Sequence, residues 1–412
     1  MARSGALPER LAAARPRSGI HRGSVQALWV QAAVREPLAV WLLTRLLFVV
    51  LTYFGVILFG SVLHGPHPSF THQLLPAWGT RWDTVWYIQI AQRGYNWHRP
   101  AGTSPTAFFP LYPLVIRVLV TLTHRSYALS ALLIANVTFL GALLYLWRLT
   151  SWEWGREVAG RAVLYIAIFP TALFFFAGYT ESLFLFFTVA SFYHLRREDW
   201  LLAGVFGGLA AATRVTGILL VLPLLYEYLR SRNFSPRRLD VGLLTILLVP
   251  AGLAAFMVYL QANVGDALAF THSQVGWQKL FTGRLWAGTL ESLRQIFVVQ
   301  PRASFLQAHN VFNLVLGIFC LGCSILAARR LPLAYGLYLG VFWLVTLASP
   351  ALATGYPVPL VSLSRYVVIL FPVFMYLGAG GRNRTIHDTY LVLSVGLLAL
   401  FTVQFITGGW VV

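Results

Sequence analysis

The sequence predicts an all-α, polytopic membrane protein. Of its 412 residues, 58% are hydrophobic and only 11% are charged, whereas soluble domains carry about 25% charged residues. The apolar residues form repeated runs of the length that a membrane-spanning helix needs, about 20 residues. Short basic segments separate these runs, as expected of loops that orient transmembrane helices.

The chain is strongly basic, with a formal net charge of +18. Such a charge can indicate nucleic-acid binding, but here the basic residues lie in short loops and form no groove or nucleic-acid motif. Nearly all of them are arginines, and the single lysine is Lys279. We therefore predict a lipid bilayer, and no nucleic acid, as the partner of this charge.

The N-terminal segment precedes the first apolar run. Residues 1–36 are basic and contain prolines, and we expect a disordered cytoplasmic tail. The apolar run at 37–62 is too long for a signal-peptide core and lacks a small-residue cleavage site after it. We therefore predict a retained first span, and a transmembrane domain over 37–412.

Nine apolar runs are predicted to cross the bilayer as single helices. They lie at 38–62, 127–147, 161–178, 180–195, 239–261, 309–328, 332–349, 365–379 and 389–409. The arginines between them fall on one side, the cytoplasmic side, only if two further segments are threaded in a particular way.

The first of these segments, 107–123, is predicted not to cross. Pro110, Pro113 and the central Arg117 suit a helix that lies at the outer interface. Interfacial helices are therefore expected in the first outer loop.

The second segment, 200–229, is predicted to cross twice as a short hairpin, whose turn ATRVTG carries Arg214 below the outer surface. Together these assignments give about eleven transmembrane helices, with the N-terminus inside and the C-terminus outside. Two long loops, 63–126 and 262–308, then lie outside. From its position alone, we expect the second loop to help form an acceptor site.

The sequence shows no disulfide framework or metal site. Cys320 and Cys323 lie in an apolar helix without further ligands, so we interpret them as packing residues. His64, His67 and His72 have no carboxylate partner and no i,i+4 spacing, and solvated loop histidines are the better interpretation. We therefore predict no metal and no cofactor.

Few charged residues are predicted near the outer boundary, and they come from separate segments. They are Asp83, Arg81, Arg93, Arg117, Glu181, Arg214, Asp266, Lys279 and Arg365. Ionisable groups at membrane depth are costly and mark function by default. Arginines bind phosphate oxygens and a carboxylate can deprotonate a hydroxyl, so this set suits a lipid-phosphate substrate.

Two of these acids also have a structural interpretation. Asp83 starts a helical pattern in RWDTVWYIQIAQRGYNW, residues 81–97, and aspartate is a favoured N-cap. The tryptophans and tyrosines around it suit an interfacial belt. Glu181, in a first helical turn, could simply complement the helix dipole. The residues alone leave both alternatives open.

Five motifs, in this order along the chain, resemble the phosphatidylinositol-glycan class V (GPI mannosyltransferase 2-like) family in its bacterial branch. They are RWDTVWYIQIAQRGY, AFFPLYPLVIR, FPTALFFFAGYTESLFL, LAGVFGGLAAATRVTGILLVLPLL and SRYVVILFPVF. The resemblance extends from about residue 38 to residue 380 and is specific in the combination of motifs.

The resemblance implies a GT-C glycosyltransferase in the bacterial plasma membrane, with its active site facing outward. Such an enzyme would move a mannosyl residue, with inversion, from polyprenyl-phosphate-mannose to a glycan or glycolipid acceptor. The family's WD motif maps onto Trp82 and Asp83, and the carboxylate of Asp83 would be the catalytic base. The TES and SRY motifs map onto Glu181 and Arg365.

The remaining roles follow from this hypothesis. Arg214, Arg365 and Arg81 would bind the donor phosphate, which would make a divalent metal unnecessary. Glu181 would contact sugar hydroxyls or orient an arginine. Aromatic residues would form the wall for the sugar and the isoprenoid, namely Tyr179, Trp82, Trp86 and Tyr87.

Two alternatives stay open. One is an enzyme of the same fold that uses another polyprenyl-phosphate sugar, such as glucose or arabinose. The other is a transporter or flippase of lipid-linked sugars, which would use the arginines without chemistry. A carrier should have a site near the midplane, and many carriers show internal repeats, which we do not find here. Close approach of Arg214 and Arg365 to Asp83 would favour an enzyme.

Overall fold

A computed structural model describes residues 22–64, 70–95, 103–279, 281–352 and 357–411. Over these residues the chain is helical and has no strand, only an isolated antiparallel bridge between Lys279 and Ala351. The predicted all-α class is confirmed.

The first helix, α1 (Arg22–His64), is 43 residues long. It begins inside the segment predicted as a disordered tail, so that prediction is wrong for residues 22–36, and residues 1–21 lie outside the described residues. No proline or glycine interrupts the sequence from 24 to 36, and both are the strongest helix breakers. At the end of this stretch, Glu36 accepts hydrogen bonds from Trp147 Nε1 at 2.7 Å and Arg156 Nε at 2.8 Å.

Three short helices follow in the first loop: α2 (Phe70–Gly79), α3 (Asp83–Arg93) and α4 (Leu111–Thr123). At 10 to 13 residues each, they are too short to span a bilayer. Helix α4 buries Tyr112 and Ile116 and exposes Val118 and Leu122, as a helix lying at an interface should. Interfacial helices in this loop were predicted.

A long helix and two shorter ones come next: α5 (Tyr127–Trp154), α6 (Arg156–Ala167) and α7 (Glu181–Arg196). The run predicted as one span at 161–178 is helical only to Ala167, because Pro170 ends the pattern, and a 3₁₀ turn follows at Ala172–Phe175. Side chains bind the carbonyls freed by this break: Arg45 Nη2 lies 2.9 Å from Phe175 O, and Asn136 Nδ2 lies 3.0 Å from Phe176 O.

The predicted hairpin is present. Helix α8 (Trp200–Thr213) ends at Arg214, which has extended backbone angles, and a 3₁₀ turn (Val215–Leu220) leads into α9 (Val221–Ser231). A Cβ on Gly217 would lie 2.3 Å from backbone atoms of Ala210. Glycine is therefore required for the close return of the chain.

The second half of the chain has nine further helices among the described residues. They are α10 (Gly242–Thr245), α11 (Leu248–Val264), α12 (Ala269–His272), α13 (Ala287–Arg294), α14 (Phe305–Ala328), α15 (Leu333–Ala348), α16 (Leu363–Val367), α17 (Phe371–Gly380) and α18 (Arg384–Ile406). The run predicted as one span at 365–379 is divided between α16 and α17.

Four described helical segments are long and apolar enough to cross a membrane: Gln31–Phe59, Tyr127–Trp154, Phe305–Ala328 and Arg384–Ile406. A fifth is possible if α11 and the segment Ala269–Trp277, bent by 87°, form one span. These helices indicate a multi-pass membrane protein. The predicted number of eleven would require shorter helices to cross as well, and stays a prediction.

Segments assigned by charge to the same side of the membrane do lie together. At one end, Arg196 Nε is 2.7 Å from Glu153 Oε1, and the hydroxyl of Tyr335 is 2.9 Å from the same oxygen. At the other end, Asp83 of the first loop contacts Arg365. The grouping of loops therefore agrees with the sequence analysis, while the orientation in the membrane stays a prediction.

Candidate active site

A cavity of about 960 Å³ lies where helix ends and loops from several distant parts of the chain meet. Its wall includes the start of α3, the turn after α8, the end of α15, helix α16 and the second long loop. Ligand pockets typically have volumes of about 300 to 1,000 Å³, and this cavity falls within that range.

Asp83 is the first residue of α3, and its side chain enters this cavity. It is not the N-cap, which is Trp82 with φ of 52°, and no side chain caps this helix. The N-cap alternative is therefore wrong. Asp83 Oδ2 lies 2.5 Å from Arg365 Nη1, and Oδ1 accepts no hydrogen bond from the residues that the structure describes. The side chain is 22% exposed, so one carboxylate oxygen remains available.

Glu181 is the first residue of α7 and lies behind two arginines. Its side chain is 1% exposed and does not line the cavity. Oε1 lies 2.6 Å from Arg214 Nη1 and 3.3 Å from Arg365 Nε. This geometry disfavours the predicted contact with sugar hydroxyls and favours the other prediction, that Glu181 orients arginines. Dipole complementation alone does not account for these two ion pairs.

The two arginines lie at the end of a helix and in a helix of five residues, respectively. Arg214 follows the last residue of α8, and its Nη1 also lies 3.3 Å from Thr180 Oγ1. Arg365 belongs to α16, where the backbone of Ser364 is fixed on both sides: its N–H donates to Asn313 Oδ1 at 3.1 Å, and its carbonyl accepts from Thr171 Oγ1 at 2.8 Å. Both guanidinium groups line the cavity.

We call these four residues, Asp83, Glu181, Arg214 and Arg365, the cavity cluster. The sequence predicted that all four lie near the outer boundary, and the structure joins them through three ion pairs. Arg365 contacts Asp83 directly, whereas Arg214 joins the cluster through Glu181.

Tyr366 was not predicted to belong to the site, and Lys279 was predicted to lie near the outer boundary without a role of its own. Nζ of Lys279 donates a hydrogen bond to the hydroxyl of Tyr366 and lies 4.3 Å from its ring centroid. The guanidinium carbons of Arg214 and Arg365 lie 5.3 Å and 5.5 Å from the same centroid. Three cations thus surround one ring. Two signals were present: Tyr366 follows Arg365 in the SRY motif, and Lys279 is the only lysine.

The four predicted aromatic residues all line the cavity. Trp82 is 43% exposed. Trp86 and Tyr87 are buried, with rings 5.3 Å and 5.2 Å from that of Phe108. The ring of Tyr179 lies 5.4 Å from the Arg365 guanidinium carbon. An aromatic wall beside a cationic site suits a sugar attached to a lipid.

Arg81 does not join this site. Its Nη1 donates to the carbonyl of Phe405 at 3.2 Å, at the end of α18, and the residue does not line the cavity. The geometry does not support the predicted contact with the donor phosphate. Arg117 likewise makes a local bond, to the carbonyl of Gln92 at 3.1 Å, and Asp266 pairs with His272 at 2.7 Å.

No three His, Cys, Asp or Glu side chains come together as a metal site among the described residues. Cys320 and Cys323 are free, buried thiols in α14, in keeping with their interpretation as packing residues. The side chains of His64, His67 and His72 lie outside the described part of the chain.

Comparison with known proteins confirms the resemblance. A family model described as mannosyltransferase (PIG-V) matches residues 67–263, just under half of the chain. A curated relative, GPI mannosyltransferase 2 of Yarrowia lipolytica, is 26% identical over 157 residues, which cover 35% of this chain and 39% of that protein. The match thus spans well under half of that relative's length.

Two solved structures are similar in fold. ArnT from Cupriavidus metallidurans, bound to undecaprenyl phosphate, is 12% identical, with a TM-score of 0.46 over 89% of this chain and 76% of that chain. The Archaeoglobus fulgidus oligosaccharyltransferase in its apo form is 14% identical, with a TM-score of 0.45 over 91% and 56%.

Proposed function

We propose that this chain, which matches the mannosyltransferase family over residues 67–263, is an inverting glycosyltransferase of the GT-C type. It would transfer a mannosyl residue from polyprenyl-phosphate-mannose to a hydroxyl of a glycan or glycolipid acceptor. The reaction would take place at the outer face of the bacterial plasma membrane. The observation that carries this proposal is the cavity cluster, in which the carboxylate of Asp83, with one free oxygen, lies against Arg365, and Glu181 holds both Arg365 and Arg214.

The proposed reaction is a single displacement. The acceptor hydroxyl oxygen attacks the anomeric carbon of mannose while Asp83 takes its proton. The bond from that carbon to the phosphate oxygen breaks, and its electron pair stays on the phosphate. Attack from the face opposite the leaving group inverts the anomeric centre. No second carboxylate is needed as a nucleophile, by analogy with inverting hydrolysis.

The net charge of the cavity suits the donor phosphate before transfer and the released phosphate after it. With the hydroxyl of Tyr366 protonated, two carboxylates and three cations, the third being Lys279, leave one net positive charge. The phosphodiester of a polyprenyl-phospho-sugar carries one negative charge. After transfer, Asp83 is neutral and the cavity has two net positive charges, while a phosphate monoester carries about −1.5 to −2. Charge balance is valuable in a partly apolar cavity, where unpaired charges are costly.

The position of Asp83 beside Arg365, in the cavity that Arg214 also lines, supports an enzyme over a carrier. A carrier needs phosphate ligands but has no use for a free carboxylate oxygen that faces the same cavity. In a carrier, that carboxylate would repel the phosphate of the transported lipid.

The decisive experiment measures mannose transfer or release from polyprenyl-phosphate-mannose by the purified protein. We expect Asp83→Asn to lower the rate 10²- to 10⁴-fold, the usual cost of losing a general base. Asp266→Asn, which alters an exposed aspartate of the second loop, is the matched control and should retain the wild-type rate. A thermal melt would confirm that each variant is folded.

Three outcomes would contradict parts of the proposal. A near-wild-type rate for Asp83→Asn would exclude Asp83 as the base. Activity only with polyprenyl-phosphate glucose or arabinose would replace the sugar. No release from any lipid-linked sugar, with translocation in vesicles instead, would establish a carrier. Treatment with EDTA should leave the rate unchanged, because the three cations replace a divalent metal in this mechanism.

A further inference from the structure

Lys279 reaches the cavity from the second long loop, and its backbone is fixed there. Its N–H donates to the carbonyl of Gln274 at 3.1 Å. The residue also forms the antiparallel bridge with Ala351, just beyond the end of α15. Gln278 before it has φ of 62°, which turns the chain sharply into the bridge. The only lysine of the sequence is thus anchored beside Arg214 and Arg365.

The ammonium group of Lys279 has no carboxylate partner among the described residues. Within the described parts of the chain it forms no salt bridge, whereas Arg214 pairs with Glu181 and Arg365 pairs with Asp83 and Glu181. Its contacts are the hydroxyl and the ring of Tyr366, and a ring face compensates a cation only in part. Lys279 therefore supplies the excess positive charge of the cavity.

We propose that Lys279 binds the phosphate of the lipid-linked donor and stabilises it as it leaves. The second long loop would then belong to the donor site, in contrast to the acceptor role expected from its position. This inference rests on the proposed function. Lysine suits the role because its ammonium is a compact charge with three donors on a flexible stem. It can move from Tyr366 to a phosphate oxygen without leaving a carboxylate unpaired.

The timing of the charge change explains why an unpaired cation is useful. When the bond to mannose breaks, the phosphate gains one negative charge. The charges of Arg214 and Arg365 are already offset by Glu181 and Asp83, while that of Lys279 is not. An interaction that strengthens as charge develops accelerates the reaction, whereas one that is equal before and after only tightens binding.

A binding experiment tests this assignment without requiring turnover. The affinity of the purified protein is measured for undecaprenyl phosphate and for undecaprenol, which has the same chain but no charge. We expect Lys279→Met to weaken binding of the phosphate about tenfold or more, in line with the loss of a charge-assisted hydrogen bond, and to leave undecaprenol binding unchanged. Lys279→Arg should retain most of the affinity. Arg284→Met, an exposed arginine of the same loop, is the matched control.

Tyr366 would act through Lys279, as a positioning residue. Tyr366→Phe removes the hydroxyl that accepts a hydrogen bond from the Lys279 ammonium, but it keeps the aromatic ring. Any change in phosphate affinity that it causes should vanish in the Lys279→Met background, which a purely structural role would not predict.

The outcomes separate this inference from the proposed function. Wild-type affinity of Lys279→Met for undecaprenyl phosphate, or equal weakening toward both lipids, would overturn it, as would failure of the wild type to bind the phosphate. Selective loss in Lys279→Met, in a protein that transfers no mannose, would support Lys279 as a phosphate ligand and reject the transferase.

Discussion

Two ion clusters in this molecule have the same composition, two carboxylates and two arginines. One is the cavity cluster. The other, which we call the closed cluster, consists of Glu153, Arg196, Glu227 and Arg230. In the closed cluster, Arg196 lies 2.7 Å from Glu153 and 3.0 Å from Glu227, and Arg230 Nε lies 2.6 Å from Glu227 Oε2. Both carboxylates are almost fully buried, as is Glu181.

The clusters differ in unused hydrogen-bonding capacity. Both oxygens of Glu227 are bonded, and no member of the closed cluster lines the cavity. In the cavity cluster, Glu181 Oε2 is buried without a hydrogen-bond partner among the described residues. Native structures leave few such atoms, and each one calls for an explanation. Unused capacity beside a cavity, and not the number of charges, therefore distinguishes the cavity cluster from the closed cluster.

The clusters are alike in their backbone. Arg196 is the last residue of α7, Glu153 and Arg230 are each one residue before the end of α5 and α9, and Glu227 lies one turn earlier in α9. Every member of the cavity cluster lies at a helix end or in a helix of five residues. Helix ends leave backbone groups unpaired, and they allow side chains from distant segments to converge in both clusters.

The largest contrast is expected between Arg365→Met and Arg196→Met. Loss of Arg365 should lower mannose transfer 10²- to 10³-fold, the usual effect of removing a group that stabilises developing negative charge. Loss of Arg196 should leave activity per folded molecule within about twofold but lower stability by about 3–5 kcal/mol, because two buried carboxylates lose their partner. Transfer assays and thermal unfolding in detergent measure both quantities.

Equal loss of activity in both variants would remove the distinction between the clusters. Arg196→Lys, which keeps the charge, serves as the second variant should Arg196→Met fail to fold.

A smaller effect is expected for Glu181→Gln. It should lower activity about tenfold, since a positioning group has less influence than a group that touches the phosphate, and it should lower the melting temperature by leaving Arg214 without its carboxylate. Adding Arg214→Met should restore stability without restoring activity. Recovery of activity in the double variant would contradict phosphate binding by Arg214.

Asn313→Ala tests the backbone support of the cavity cluster. It removes the acceptor of the buried Ser364 N–H, at a cost of about 1–3 kcal/mol. We expect a severalfold drop in activity through displacement of Arg365. Unchanged activity at reduced stability would show that Arg365 does not depend on this bond.

The smallest effect is expected at the exposed pair of Asp266 and His272. Hydrogen bonds from the His272 imidazole and the Leu268 amide lower the pKa of Asp266 below its usual range. A depressed carboxyl pKa stabilises the fold above the unfolded pKa of about 3.9, and the effect is lost as the pH falls through the folded value. The melting temperature of Asp266→Asn should therefore differ slightly from wild type at pH 7, and this difference should disappear in acid.

The sequence was sufficient for features set by local composition. Run lengths and loop charges predicted the interfacial helices of the first loop, the short hairpin with Arg214 at its turn, and the sides on which loops meet. Asp83, Arg214 and Arg365 could be brought together because apolar surroundings leave a charged side chain few structural explanations.

Features set by contacts between distant segments could not be predicted. Pro170 ends α6, but the irregular segment that follows is held by Arg45 and Asn136, which bind its carbonyls from distant helices. Arg81 is two residues from Asp83, yet it bonds to the carbonyl of Phe405. Whether Glu181 faces the cavity or lies behind the arginines is likewise a matter of packing.

The single lysine also has a practical consequence. Apart from the amino terminus, Lys279 provides the only primary amine in a chain of 412 residues. Amine-selective acylating reagents should therefore modify one side chain, at the wall of the cavity, and mass spectrometry could follow that adduct in a single peptide. A bound lipid phosphate should slow the labelling, so the protein carries its own occupancy reporter without an engineered cysteine or a fluorescent substrate.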